Sequence, residues 1–324
     1  MSESTKEESS GKQVESLREL ANDVLASYPI AVRSLELVHH GFNTTFKVVA
    51  ENDSSYALRI NVNSRRTPAN VAAEVAWVGF LNESSAVSVA RPVALTNGAY
   101  SQRVNGDTLG RETSAVMFEW LPGSIVAQLD DPAEALRHSG HLLAQLHLEG
   151  ARYTLPAGAE LPIFDSVFWG YDNALTGNSG VLDTNDQTLF GAAIEKVQAL
   201  IASYFASGQA QIIHADVHAG NMMWHDGQLS VFDFDDCGIG FPIQDIAISL
   251  SYLPDPAYRS LVLEAYEEIA PLPTHTPEEL LTLVLHRRLQ LLNYFAGSKN
   301  AEHRAIFENF LVGARKQVEN FLAN

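Results

Sequence analysis

The segment from Ile212 to Asp236 constrains this chain more than any other. Two short apolar runs, QIIHAD and LSVFDF, bracket its densest cluster of polar residues. Such runs read as strands, which puts Asp216 and Asn221 on the loop after the first and Asp233 at the end of the second. The spacing is H-x-D-x-x-x-x-N, from His214 through Asp216 to Asn221, with an apolar-Asp-aromatic run twelve residues past the asparagine. Order and spacing together make this a constrained pattern rather than a lone match.

The flanking sequence divides into two unlike halves. Residues 1–13 are polar and charged and read as a disordered tail, and residues 14–25 carry apolar residues at helical spacing. LELVHHG, TTFKVVA and SYALRIN then read as three strands, separated by Gly41 with Asn43 and by the turn cluster at 51–55. A helix through Val71, Val75, Val78 and Leu81 follows, then RPVAL, a turn at Asn97-Gly98 and the apolar segment AVMFEWLPG, whose Leu-Pro-Gly marks a boundary. Residues 14–120 thus form a small lobe with an antiparallel sheet and one key helix, and residues 121–324 a larger, mainly helical lobe: an α+β chain. Ala133 to Glu149 and Ala192 to Phe205 are amphipathic. Thr276-Pro-Glu-Glu279 opens a later helix with a capping box. The insertion at 151–190 gives no clear pattern.

Composition sets limits on partners. With 324 residues, 46% of them hydrophobic, the chain can bury substantial cores. A net charge of −18, from 21 Lys and Arg against 39 Asp and Glu, disfavours nucleic acid as a partner. The single cysteine, Cys237, precludes an intramolecular disulfide and fits a small filler in a reducing cytoplasm. The N-terminus lacks the apolar core of a signal peptide, and no stretch reads as a membrane span, so a cytoplasmic protein without a membrane partner is expected. Oligomeric state is not legible.

Phosphoryl transfer needs a carboxylate to orient the attacking hydroxyl and oxygen ligands that hold Mg²⁺ against the phosphates of ATP. Asp216, Asn221 and Asp233 supply those groups. A basic residue on the phosphates, held by a carboxylate from a nearby helix, is also required. Glu74 falls inside the apolar stripe of its helix, where an unpaired carboxylate would cost several kcal/mol. Arg59, in SYALRI, is its natural partner. The turn HHGFNTTF, with Gly41, Asn43, Thr44 and Thr45, lies where backbone N–H groups and small hydroxyls would cover phosphates.

These segments resemble the aminoglycoside phosphotransferase and choline kinase group, which has a protein-kinase-like bilobal fold; homoserine kinase type II and the stress-response kinases are similar too. The resemblance implies Asp216 as catalytic base, Asn221 and Asp233 as Mg²⁺ ligands, and His214 and Asp245 as supports of the catalytic loop. Asp235 and Asp236 stand close enough in sequence to substitute as ligands. By the same resemblance Met117, Phe118, Glu119 and Trp120 line the adenine site between the lobes. Arg59 departs from the commoner lysine but keeps the charge. The cofactors implied are ATP and Mg²⁺, and the partner a small-molecule hydroxyl acceptor: an aminoglycoside, choline, homoserine or similar.

Other readings remain at this stage. His214-Ala-Asp216-Val-His218 alone resembles the ligand run of a metal-dependent hydrolase, which would leave Arg59 and Glu74 unexplained. A catalytically inactive nucleotide-binding protein and a protein Ser/Thr kinase of stress-response type are the further alternatives. His147 reads as a core histidine. His286, Arg287 and Arg288 read either as an acceptor site or as a solvated basic face, and Tyr252, Tyr258 and Tyr266 as pocket lining or packing.

Overall fold

The computed structural model describes residues 3–84, 86–105, 111–176, 181–298 and 301–323, with side chains from residue 13 onward and, beyond residue 300, at 303 and 306–323. It is bilobal. Strands β1 (Val32–His40), β2 (Thr44–Ala50) and β3 (Ser55–Ile60) form the expected antiparallel meander, and β5 (Ser101–Asn105) and β6 (Glu112–Glu119) complete a five-stranded sheet. The sheet order is β1-β2-β3-β6-β5. In β2, burial alternates residue by residue, so Thr44, Phe46, Val48 and Ala50 point into the core. Helix α1 (Glu3–Leu25), which includes residues read from sequence as a tail, lays Leu17, Ala21 and Val24 against Phe46, Val48 and Leu58.

Helix α2 (Pro68–Ser84) joins the two lobes. Val71 and Val75 pack on Val116 of the sheet, while Trp77, Val78 and Leu81 one turn later belong to the core of the second lobe, with Leu143, Val231 and Phe234. The short strand β4 (Ser88–Val89) also crosses over, pairing in parallel with β10 (Gln228–Val231). Thus Glu74, between those two apolar contacts on α2, is fixed at the interlobe cleft.

The second lobe contains β7 (Ser124–Ile125), α3 (Ala133–Gly150), α4 (Thr184–Ser207), β8 (Gln211–Ile213), β9 (Met222–His225), β11 (Gly238–Gly240), α5 (Pro242–Ser251), α6 (Pro256–Glu267), α7 (Pro277–Gly297) and α8 (Ala301–Ala323). The runs QIIHAD and LSVFDF do not pair with each other: β8 pairs with β11, and β10 with β9 through a turn at Asp226-Gly227. β9 escaped the sequence reading because its four residues, MMWH, carry no alternation. The capping box forms as expected, Glu279 N–H donating to Thr276 Oγ1 at 3.1 Å and Thr276 N–H to Glu279 Oε2 at 2.6 Å.

The insertion after α3 runs as irregular chain over β11, with Phe164 N–H donating to Ile239 O at 2.9 Å. Gly238 is required there, since a Cβ would stand 2.2 Å from the Phe164 ring. Helix α4 corrects one expectation: its mean hydropathy of 1.2 over an 18-residue window meets the length and composition of a span. In this fold it presents Phe190, Ala193, Val197 and Ile201 to a core shared with α7 and α8.

Candidate active site

The loop after β8 is held by a carboxylate beneath it. Asp245, on α5 and fully buried, accepts from His214 N–H at 3.0 Å and Ala215 N–H at 2.8 Å. Ala215 sits at φ +66°, a left-handed conformation that costs a non-glycine residue about 1–2 kcal/mol; the two amide bonds to Asp245 hold it. Asp245 is in turn met by His147 Nε2 at 3.2 Å, and His147 Nδ1 lies 3.0 Å from the Tyr266 hydroxyl. His147 is therefore the satisfied core histidine expected.

His214 ties this loop to the next. Its Nδ1 accepts from Asp216 N–H at 3.2 Å, so Nε2 carries the hydrogen that reaches Phe232 O at 3.2 Å. Phe232 N–H donates to Asn221 O at 3.1 Å. Burial lowers the pKa of His214, keeping the ring neutral as this tautomer requires. With both nitrogens engaged it has none left for a metal, which removes the hydrolase reading's first ligand. Asp216, Asn221 and Asp233 are thereby brought to one end of adjoining strands.

Around Asp216 the carboxylate oxygens have separate partners. Oδ2 accepts from Asn221 Nδ2 at 2.9 Å and lies 3.5 Å from His218 Nε2; Oδ1 is bound by Arg287 of α7. Burial pushes the Asp216 pKa up, but Arg287, His218 and His214 outweigh it and hold the carboxyl below its ordinary value. The Asn221 amide spends its N–H groups on Asp216, and its Oδ1, without a hydrogen-bond partner among the described residues, can meet a cation.

Asp233, at φ +64°, directs a carboxylate that is 44% exposed toward the same cleft. Burial and the carboxylates of Asp235, Asp216 and Asp236 push it up to about 7, against the pull of Arg59. Asp236 is likewise pushed up to about 6, by burial first and then Asp216. Crowded carboxylates of this kind relax when a divalent cation enters. Among the described residues no group of three His, Cys, Asp or Glu side chains is arranged to hold a metal by itself. Asn221 Oδ1 and the Asp233 carboxylate supply the one or two protein oxygens that Mg²⁺ takes alongside waters and phosphate oxygens.

Asp235 is otherwise occupied. Only 5% exposed, it accepts from Asn61 Nδ2 at 2.8 Å and from Asn43 Nδ2 at 3.0 Å. It anchors the turn of the first lobe to the second. Arg59 and Glu74 form the expected pair in forked geometry, at 2.8 and 2.5 Å, with Arg59 also 3.7 Å from Asp233. Burial opposes the charge on Arg59, but Glu74, Asp235 and Asp233 outweigh it, so the guanidinium stays charged.

The remaining sequence candidates are placed as follows. Gly41 N–H closes the turn onto Asn43 O at 3.0 Å, Thr44 is buried with its hydroxyl 2.8 Å from His40 Nδ1, and Thr45 is the next residue of β2. Met117 is wholly buried in the sheet core, and Phe118 lies under the Arg59 guanidinium. The amides of Glu119 and Trp120 donate to Arg91 O at 2.8 Å and Ser55 O at 3.0 Å.

Sequence reasoning left Arg287 undecided, and a solvated face is excluded: the side chain is 9% exposed and bonded to Asp216. His286 is buried too, bonded to Val167 O at 2.7 Å. Only Arg288 points outward, to Gln317 and the Phe310 ring. Tyr252 joins the site, its hydroxyl 2.9 Å from Arg287.

A family model described as "Phosphotransferase enzyme family" matches residues 34–279. Amicoumacin kinase of Bacillus subtilis is 25% identical over 70% of this chain and 66% of its own length. Stress response kinase A of Salmonella choleraesuis is 25% identical over 51% of this chain and half of its own length. The match thus spans about two thirds of the first relative and half of the second. Among solved structures, a microcompartment-associated aminopropanol kinase superposes with TM-score 0.77 at 21% identity, over 94% of this chain and 97% of that one. An amicoumacin kinase in complex with AMP-PNP and Ca²⁺ gives 0.75 at 19%, over 94% and 93%.

Proposed function

This chain belongs to the phosphotransferase enzyme family, and from that premise we propose that it is a cytoplasmic, Mg²⁺-dependent kinase that moves the γ-phosphate of ATP to a hydroxyl group of a small molecule. The observation that carries the reading is the convergence of Asp216, the free Oδ1 of Asn221, Asp233 and the Arg59–Glu74 pair on one cleft between the lobes.

Each residue has a part that follows from its surroundings. Asp216, held ionised, accepts a hydrogen bond from the acceptor hydroxyl and aims its oxygen at the phosphorus. Arg59 is immobilised by Glu74 and keeps its charge, so it orients phosphate oxygens at no further entropic cost. Asn221 and Asp233 would hold Mg²⁺, which when bound neutralises the charge of the phosphates. Asp245 fixes the loop, and Asp235 fixes the turn that faces the phosphates. A protein acceptor, as the printed name of some relatives suggests, is the second reading; half-length matches to stress response kinase A favour it no further than the shared fold.

The test is transfer of labelled γ-phosphate from ATP, with and without Mg²⁺, to small hydroxyl compounds and to a generic protein substrate. Metal-dependent transfer to a small molecule that disappears in Asp216→Ala is expected; nucleotide turnover that survives that substitution would sink the assignment.

A further inference from the structure

Helix α5 supports the loop that carries Asp216 at two levels. In its first turn Asp245 holds the backbone of the loop, and at its C-terminus Tyr252 meets the side chains around Asp216. The Tyr252 hydroxyl accepts from Arg287 Nη2 at 2.9 Å and from Nε at 3.3 Å, along one edge of the guanidinium, while Nη2 also donates to Asp216 Oδ1. The Tyr252 ring faces that of His218, with centroids 4.5 Å apart and planes inclined by 31°. His218 Nδ1 accepts from Gly220 N–H at 3.0 Å, so the hydrogen is carried by Nε2, which lies 3.5 Å from Asp216 Oδ2. Two side chains that flank Asp216 on its separate oxygens thus rest on one tyrosine. That tyrosine packs on the cluster of Phe164, Ile213, Ala215 and Ile248, which ties it to α5 and to the backbone of the loop.

Resting on the kinase reading above, we infer that Tyr252 is a positioning residue for the transfer, aiming the Asp216 carboxylate at the acceptor hydroxyl through Arg287 on one oxygen and His218 on the other. An arginine on its flexible stem can meet a carboxylate from many directions. Two bonds from one edge of the guanidinium to a single fixed oxygen select one of them. The side chain of Asp216 can itself turn, and Asn221 guides only Oδ2, at 2.9 Å. Arg287 supplies the second point that fixes the plane of the carboxylate, and a misplacement of about 1 Å at reacting atoms costs about 100-fold in rate. In the transfer, the bond from the γ-phosphorus to the bridging oxygen of ATP breaks and ADP keeps the electron pair. A new bond forms to the acceptor oxygen, and the hydroxyl proton passes to Asp216 and then to solvent. Tyr252 acts on Asp216 and not on the nucleotide, so its contribution belongs in kcat.

The test is a double-mutant cycle on the full-length protein, read by Mg²⁺-dependent transfer of labelled phosphate from ATP to water, the acceptor always present, and to small hydroxyl compounds. Tyr252→Phe keeps the ring on His218 and removes the hydroxyl from Arg287. It should lower kcat by about 10-fold, the worth of a hydrogen bond to a charged group, with the KM of ATP and the melting temperature close to those of the parent. Arg287→Met should cost more, and the double variant no more than Arg287→Met alone, since the hydroxyl acts through the guanidinium. Tyr252→Leu, which also releases His218, should be slower than Tyr252→Phe. A kcat for Tyr252→Phe within about 2-fold of the parent, or losses that multiply in the double variant, would overturn the inference and leave the kinase reading standing. So would a Tyr252→Leu no slower than Tyr252→Phe, or a fall in kcat that the KM of ATP and the melting temperature follow. Absence of metal-dependent ATP turnover in the parent protein would overturn both.

Discussion

Two buried arginines face this cleft, each on a carboxylate, and they differ in what surrounds the pair. Arg59 and Glu74 are 7% and 3% exposed and hold each other in a fork between the sheet and α2. Arg287 is 9% exposed, but its partner Asp216 is 17% exposed and shares its oxygens with Asn221 and His218. The first pair fixes the charge of Arg59, whose Nε is buried without a hydrogen-bond partner among the described residues. In the second, the carboxylate is the more exposed member and is shared among several partners. The lesson is that burial of an ion pair says little about its role until the other partners of each member are counted.

Removing the carboxylate from each pair separates them most sharply. Asp216→Ala should lower kcat by about 10²- to 10⁴-fold while leaving nucleotide affinity nearly unchanged, measured by steady-state turnover and calorimetric titration. Glu74→Ala should instead destabilise the fold by about 3 kcal/mol, because the buried Arg59 charge loses both of its hydrogen bonds and keeps only the longer contacts to Asp235 and Asp233, at 3.6 and 3.7 Å, and denaturant unfolding would read it. Equal losses of stability in the two variants would break the distinction.

The pH dependence sharpens it further. Arg287 is the leading influence that holds Asp216 below the ordinary carboxylate range, against burial. The stability this contributes is present above the unfolded carboxylate pKa of about 4 and is lost as pH falls through the depressed folded value. Arg287→Met should therefore move the acidic limb of the activity profile to higher pH; an unmoved limb would mean that His218 and Asn221 suffice.

Asp233 carries the opposite sign. Its pKa is raised to about 7, so its ionisation costs the metal-free fold nothing below about pH 4 and progressively more up to about pH 7. Asp233→Asn should remove that cost, about 1 kcal/mol or less since the side chain is 44% exposed and screened by solvent. Thermal melts of the metal-free variant at pH 5 and pH 8 would show it, and no gain at pH 8 would argue against carboxylate crowding. The smallest effect is expected of Ala215→Gly. Relief of the positive φ and the added freedom of the unfolded chain nearly cancel, leaving a change within about 1 kcal/mol.

The sequence by itself determined the two lobes, the loop that carries Asp216 and Asn221, and the Arg59–Glu74 pair, because each leaves a local trace. Alternation marks β2, a constrained spacing marks Asp216, Asn221 and Asp233, and a carboxylate in an apolar stripe announces a buried partner. Asp245 was legible as a support only through the family resemblance, and His147 from its place on an apolar helical face. Only the tertiary structure decided that Asp235 anchors Asn43 and Asn61, 192 and 174 residues away in the chain. Arg287 lies 71 residues from Asp216 on a helix whose neighbours Leu285 and Leu289 would suit a core and Arg288 a surface. Helical spacing fixes which residues share a face, but not which face of which helix closes on the loop. That depends on how α7 packs on α5 and under the irregular 151–176 segment, and packing between distant elements leaves no period in the sequence.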